Sequence, residues 1–90
     1  MIYLLIETFQ KGKIKKVYER YAKEGRMLPE GLKYIDSWVD LNITKCYQIM
    51  ECDNKKTLKE WISKWEDLVG FEIIPVMTSD EAHKKILTLK

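Results

Sequence analysis

The chain has 90 residues, of which 46% are apolar and 33% are charged, and its net charge is +2. This length fits one domain spanning residues 1–90, and the apolar content is too high for a disordered chain. No apolar run approaches the ~20 residues that cross a bilayer, and the N-terminal segment lacks the basic leader and cleavage motif of a signal peptide. We therefore expect a globular protein of the cytoplasm, with no membrane attachment.

Cysteine and histidine are scarce. Cys46 and Cys52 are the two cysteines, and His83 is the single histidine. On one extended segment the two cysteine Cα atoms lie roughly 20 Å apart, whereas a disulfide needs about 4.4–6.8 Å. Zinc sites usually need four close-spaced ligands. We expect no disulfide and no metal site, and the absence of a glycine-rich phosphate loop indicates no bound cofactor.

The first elements alternate between strand and helix. Residues 2–7 form a continuous apolar run, which is typical of a buried strand. Residues 14–22 carry apolar side chains at helical spacing, and Gly25 is placed to end that helix. Residues 33–40 are rich in β-branched and aromatic side chains and predict a second strand.

A chain reversal near Ile43 leads into a third predicted strand at residues 46–52. Asp53 or Asn54 is placed to cap a second helix, whose apolar stripe runs through residues 58–68.

The C-terminal part predicts one more strand and one more helix. Residues 71–77 are strand-like, and residues 78–81 match a capping box that starts a helix through about Leu87. The order β-α-β-β-α-β with a terminal helix predicts an α+β, ferredoxin-like fold. Its four-stranded antiparallel sheet carries two helices on one face.

Both faces of the predicted sheet are apolar. In the first strand, Ile2, Leu4 and Ile6 oppose Tyr3 and Leu5. Monomers rarely expose a contiguous apolar patch of that kind. We therefore expect a homodimer that forms through the open sheet faces.

The hairpin of the middle strands decides which residues share a face. A turn centred near Ile43 sets Trp38 opposite Gln48 and Asp36 opposite Met50. The open face then carries Tyr34, Asp36, Trp38, Cys46, Gln48 and Met50, and the helix-covered face carries Ile35, Val39, Tyr47 and Ile49. A slip of one residue in the turn reverses this assignment.

Several segments resemble an uncharacterised, domain-of-unknown-function family of chains about as long as this one. They are residues 25–32 (GRMLPEGL), 34–39 (YIDSWV), 46–53 (CYQIMECD), 61–65 and 71–76 (FEIIPV). The family looks like a member of the dimeric α+β barrel group, which includes cofactor-free monooxygenases and muconolactone isomerase-like enzymes. The resemblance implies the ferredoxin-like dimer and brings no catalytic residues.

The predicted ligand-binding residues are Arg26, Tyr34, Trp38 and Gln48. Arg26 is suited to clamp an anion because guanidinium groups bind carboxylates through two hydrogen bonds. Alternatively, it is a cation at a helix C-terminus. Tyr34 and Trp38 either line an aromatic pocket or are ordinary aromatics of the sheet.

Carboxylates that interrupt apolar strands are the catalytic candidates. Asp36 and Glu72 come first, because a buried carboxyl has a raised pKa and suits acid–base chemistry. Glu7 and Glu51, near the ends of two central strands expected to be parallel, are further candidates. The alternative is that these carboxylates face solvent or form ion pairs.

Three functions remain open at this stage. The first is binding of a small, partly apolar ligand in a cleft over the sheet of a homodimer. The second is a cofactor-free monooxygenase or isomerase with Asp36 or Glu72 as the base, and the third is a structural or interaction module. Basic residues cluster in 11–26, but no RNP-like aromatic motif accompanies them, so we expect no nucleic-acid partner.

Overall fold

The computed structural model describes residues 1–89. The elements in chain order are β1 (Ile2–Phe9), α1 (Ile14–Glu24), β2 (Lys33–Val39), β3 (Lys45–Glu51), α2 (Lys55–Ser63), β4 (Val69–Val76) and α3 (Ser79–Thr88).

The helix ends follow their predicted signals. Gly25 follows α1 with φ at +67°, a conformation that glycine adopts without strain. Asn54 caps α2, because its Oδ1 accepts the backbone N–H of Lys56 at 2.8 Å. Thr78 and Glu81 form the predicted capping box at the start of α3. The predicted starts of α2 and α3 and the predicted ends of α1 and α3 are thus confirmed. The α2 helix ends earlier than predicted, at Ser63, and its apolar stripe continues into the turns that follow.

The four strands form one antiparallel sheet in the order β2-β3-β1-β4. With the helices, this confirms the ferredoxin-like fold and its C-terminal helix. The expectation that the two central strands run parallel was wrong, since β1 and β3 are antiparallel. Glu7 therefore pairs with Cys46, and Glu51 pairs with Ile2, so the two glutamates lie at opposite ends of the sheet.

The core lies between the sheet and the helices. On β1, Tyr3 and Leu5 point into it, and Leu5 is fully buried. They meet Met50 of β3 and the two helical residues Leu58 and Trp61, all buried. We call this side of the sheet the covered face and the other side the open face.

The predicted face assignment of the β2–β3 hairpin was wrong by one residue. Trp38 pairs with Tyr47, and Asp36 pairs with Ile49. Cys46, Gln48 and Met50 consequently lie on the covered face, opposite to the prediction. A β-bulge at residue 35 then moves Tyr34 to the covered face as well.

The hydrogen bonds of the turn explain why the predicted assignment was wrong by one residue. The carboxylate of Asp40 accepts the backbone N–H groups of Thr44 and Lys45, at 2.7 and 2.8 Å. The backbone N–H of Asp40 also donates to the carbonyl of Lys45, which closes a four-residue loop. Within that loop Ile43 adopts a φ of +55°, a left-handed conformation that is unusual for a β-branched residue. These contacts place the centre of the turn half a residue before Ile43.

The rest of the protein covers little of the open face or of α3. The α3 helix buries none of its residues, and Ile86 and Leu87 are exposed. The radius of gyration is 15.0 Å, against about 12 Å for a compact domain of this length. The molecule is therefore elongated, with apolar surface that its own fold does not bury.

Candidate functional site

The loop between α1 and β2 holds Arg26 in place through its backbone. The carbonyl oxygen of Arg26 accepts the indole N–H of Trp61 at 2.7 Å and that of Trp65 at 3.1 Å. Both tryptophans are buried, and Trp61 also packs edge-on against Phe71 at 5.7 Å between ring centroids. Two rigid side chains from the α2 region therefore fix the position from which the Arg26 side chain extends.

The guanidinium of Arg26 lies within a ring of neutral polar groups. It donates to Gln48 Oε1 at 3.3 Å, to Tyr21 Oη at 3.2 Å and to Ser37 Oγ at 3.3 Å. Its central carbon lies 3.8 Å from the centre of the Tyr34 ring and 5.2 Å from that of Tyr21. The two rings add cation–π attraction and hold the guanidinium in one orientation.

Glu7 extends this polar cluster deeper into the protein. Its side chain is 6% exposed, and its Oε2 accepts a hydrogen bond from Nε2 of Gln48. Burial raises the pKa of Glu7 to about 7, although the Gln48 hydrogen bond and the charge of Arg26 pull it back in part. Glu7 thus exchanges its proton near neutral pH, as groups in acid–base catalysis do.

A cavity of about 140 Å³ opens beside this cluster, between α1 and the covered face. Its lining consists of Glu7, Phe9, Val17, Tyr18, Tyr21, Arg26, Ser37, Val39, Cys46, Gln48, Trp61, Trp65 and Val69. Aromatic and aliphatic side chains form most of the wall, and the polar groups converge on one part of it. This combination is typical of small-molecule sites.

Cys46 lines the same cavity but is not suited to nucleophilic chemistry. Burial, and then the charge of Glu7, raises the pKa of its thiol to about 12. The thiolate is the reactive form of cysteine, and at neutral pH this thiol stays protonated.

The structure brings together some of the predicted site residues and separates others. Arg26 and Gln48 line the cavity, and Tyr34 packs against the guanidinium of Arg26. Trp38 is 56% exposed on the open face.

The predicted acid–base residues lie away from the cavity. Asp36 is exposed and accepts the backbone N–H of Ser37. Glu72 is exposed on β4, opposite Ile6. Neither lines the cavity, and their catalytic roles stay predictions.

Ser37 and Tyr21 are site residues that the sequence reasoning missed. Ser37 bonds both Arg26 and the Tyr34 hydroxyl, the latter at 2.5 Å. Glu7 was named only as a secondary candidate, yet the sequence does carry a signal for it. It follows Tyr3 and Leu5 at a spacing of two, which places a carboxyl on the buried side of a strand.

No helix within residues 1–89 is both long enough and apolar enough to cross a membrane. In the same part of the chain, no three His, Cys, Asp or Glu side chains gather in a way that suits a metal ion.

Comparison with known proteins identifies the family of this chain. The family model described as "Domain of unknown function (DUF3303)" matches residues 1–90. The chain belongs to this family. The resemblance drawn from the sequence segments is thereby confirmed, and DUF3303 has no activity attached to its description.

Among solved structures, this DUF3303 chain is similar to one described as "Crystal Structure of MjSpt4:Spt5 complex conformation B". The sequence identity is 22% and the TM-score 0.40, and the match covers 100% of this chain and 56% of the other. The DUF3303 chain thus spans about half the length of that chain. No curated protein matches the sequence.

Proposed function

We propose that this DUF3303 protein binds a small, partly apolar molecule in the cavity between α1 and the covered face. The observation that supports this function is the polar cluster of Arg26, Gln48 and Glu7 in an otherwise aromatic cavity. The volume of about 140 Å³ gives the size of the ligand portion that the cavity holds. Drug-sized ligands fill about 300–1,000 Å³, whereas a cavity of about 150 Å³ takes benzene. A single ring with one substituent fits this scale.

A fragment screen by thermal shift tests the proposal. A ligand at 100 times its dissociation constant adds about 2.7 kcal/mol to the free energy of unfolding. We expect hits among single-ring compounds, and we expect Val39→Phe, which narrows the cavity, to remove them. Trp38→Ala on the open face is the matched control and should keep the hits. A screen without hits, or hits that Val39→Phe leaves unchanged, would overturn the function.

We further propose that two copies of the chain associate through their open faces. Leu4 and Ile74 are half-buried neighbours on this face, and the exposed Trp38 extends it. An apolar groove beside them is lined by Ile2, Ile35, Ile49, Val76, Met77 and Thr78. A second copy supplies a surface of the same apolar character, which a two-fold axis brings face to face.

Light scattering during gel filtration measures this association. The expected mass is twice the 10.8 kDa of the chain. Ile74→Lys places a charge on the open face, directly beside Leu4, and should yield a monomer. Glu60→Lys adds the same side chain on the outer surface of α2 and should leave the dimer intact. A wild-type monomer at micromolar concentration, or a dimer that survives Ile74→Lys, would contradict the assembly.

A cofactor-free enzyme acting on the same ligand is the second candidate. The observation that favours it is the buried Glu7 carboxyl, whose pKa of about 7 suits proton transfer. For this function we expect Glu7→Gln to abolish turnover while ligand binding persists. Asp36→Asn and Glu72→Gln test the two bases predicted from the sequence. Turnover that withstands all three substitutions would exclude acid–base catalysis by these carboxyls, and the absence of any ligand would leave an interaction module.

We place the protein in the cytoplasm. Cys46 and Cys52 are both free thiols, one half-buried and one buried, and reducing compartments preserve free thiols.

A further inference from the structure

Arg26 carries a positive charge that no side chain within residues 1–89 neutralises by direct contact. Its three hydrogen bonds go to uncharged oxygens, and no ion pair among residues 1–89 includes it. A guanidinium has five N–H donors, so two remain available. A partly buried cation without an anion is unfavourable, and the planar guanidinium matches a carboxylate with two parallel hydrogen bonds. The site therefore has one position suited to an anion.

This position exists before any ligand arrives. The two indole N–H groups fix the backbone of Arg26, and the Tyr34 ring, 3.8 Å away, supports the guanidinium. A preformed site binds more tightly because little side-chain freedom is lost on binding.

Gln48 connects this cation to a second ionisable group. Its amide oxygen accepts from Arg26, and its amide nitrogen donates to Glu7. An anion that reaches Arg26 therefore approaches a carboxyl held one side chain away.

We propose that the ligand is a monocarboxylate with a single-ring or short-chain body, whose carboxylate pairs with Arg26 while Glu7 takes up a proton. This inference rests on the proposed binding function. The apolar body occupies the aromatic part of the 140 Å³ cavity. The proton removes the repulsion between the carboxylate of the ligand and that of Glu7.

The other groups around Glu7 leave Arg26 as the main charge that acts on it. The titratable and charged groups that line the cavity near it are Arg26 from the α1–β2 loop, Tyr18 and Tyr21 from α1, and Cys46 from β3. β2 contributes Ser37 and, at the guanidinium, Tyr34. The α2 region and β4 contribute uncharged side chains, Trp61, Trp65 and Val69, and Phe71 pairs directly with Glu7.

The direction of the pH effect follows from these charges. Without ligand the pKa of Glu7 is about 7, held down in part by Arg26. A carboxylate bound to Arg26 cancels that charge, so the pKa of Glu7 rises further in the complex. At pH 7 about half of the free protein already carries the Glu7 proton, so binding takes up as much as about half a proton for each ligand. The uptake approaches one proton at pH values between the free and the bound pKa. The affinity is highest below pH 7 and falls by up to about tenfold per pH unit above it.

Isothermal titration calorimetry of the full chain measures both the affinity and the proton uptake. The probes are benzoate, phenylacetate and hexanoate, each beside its neutral amide, between about pH 6 and about pH 8.5 in two buffers of different ionisation enthalpy. We expect at least one carboxylate to bind about tenfold more tightly than its amide near pH 6. Its affinity should fall at least about fivefold by pH 8.5, and the amides should show no such fall.

Two variants and a control separate the parts of the inference. Glu7→Gln keeps a neutral group in place, so carboxylate binding should lose its pH dependence and exceed the wild-type affinity at pH 8.5. Arg26→Met should remove the preference for a carboxylate over its amide. Amide binding that persists in this variant shows that the cavity is still folded. Lys16→Met, at an exposed position of α1, should keep the preference.

The possible outcomes distinguish a failure of this inference from a failure of the proposed binding function. If neutral compounds bind and the carboxylates do not, the ligand class is wrong while the binding function stands. If a carboxylate binds without proton uptake, or with the same pH dependence in Glu7→Gln, the role of Glu7 is overturned. If no compound of any class binds, the proposed function itself fails.

Discussion

The two faces of the sheet differ in the polarity of their side chains and in how deeply these side chains are buried. On the covered face, polar side chains lie deep in the protein, and every fully buried side-chain nitrogen and oxygen within residues 1–89 has a hydrogen-bond partner. On the open face, apolar side chains such as Ile2 and Leu4 remain only half-buried, and Trp38 is exposed. The strand β1 contributes to both faces. Its residues Tyr3, Leu5 and Glu7 point to the helices, and the residues between them point to the open face.

This difference underlies the two proposals. Buried polar groups that satisfy one another are held in fixed positions, which favours recognition of a small molecule. Exposed apolar area has little chemical selectivity, and it gains free energy by being covered. For this reason the proposed ligand site is on the covered face and the proposed association is through the open face.

We expect the largest difference in stability between the two faces when a tryptophan is replaced on each of them. Trp61→Ala removes a buried ring and a donor to the Arg26 carbonyl, so we expect the free energy of unfolding to fall by about 3–5 kcal/mol. Trp38→Ala should cost about 0.5 kcal/mol or less at concentrations where the chain is monomeric. Urea unfolding measures both. Trp61→Phe keeps most of the ring and provides an intermediate value if the alanine variant does not fold. Similar losses at Trp61 and Trp38 would contradict the distinction between the faces.

The second prediction concerns the pH dependence of stability. The pKa of Glu7 is about 7 in the folded protein, against a reference value of 4.5. Between these values the unfolded chain releases the proton while the folded protein keeps it. The free energy of unfolding therefore falls as the pH rises through this window, by up to about 3 kcal/mol, and Glu7 adds no further change above it.

Urea titrations across this window test the effect as a difference between two proteins. Wild type and Glu7→Gln should diverge as the pH rises, with the variant gaining relative stability. Glu60→Gln, on the exposed side of α2, should follow wild type. Parallel curves for wild type and Glu7→Gln would show that the folded protein does not hold this proton more tightly than the unfolded chain.

The third prediction concerns the N-terminal cap of α3, whose removal should have only a local effect. Thr78→Ala removes the side chain that accepts the Glu81 N–H at 3.1 Å, a cap worth about 1 kcal/mol to a helix. Because α3 buries no residue, we expect faster hydrogen exchange within α3 and an unchanged global unfolding transition for the monomer. Thr88→Ala, at the other end of the helix, is the control. A lowered global transition would show that α3 is part of the folding unit.

Local signals in the sequence predicted the elements well. Strand and helix periods are read over a few residues, and caps such as Asn54 and Thr78 act within one turn of helix. The start of β4 lies two residues before the predicted one, because Gly70 gives no strand signal while its pairing with Thr8 forms the strand. The alternation of β1, with Ile2, Leu4 and Ile6 on one side and Tyr3 and Leu5 on the other, was also predicted correctly, since it needs no partner strand to be read.

The site was less predictable, because it depends on register. The contacts of Asp40 with Thr44 and Lys45, together with the bulge at residue 35, decide which side chains of β2 and β3 face the helices. These are geometric choices among turns of similar sequence, and a change of one residue reverses every side chain. Tyr34 and Gln48 were therefore identified as site residues but assigned to the wrong face of the sheet.

The placement of the three tryptophans gives the molecule a built-in optical readout. Trp61 and Trp65 share a single acceptor beside the cavity, whereas Trp38 is exposed on the other side of the sheet. Indole fluorescence responds to its immediate surroundings, so Trp38→Phe leaves emission that reports on the cavity alone. The difference from the wild-type spectrum isolates the open face. The proposed ligand occupancy and subunit association can thus be followed separately with two unlabelled proteins, Trp38→Phe and wild type.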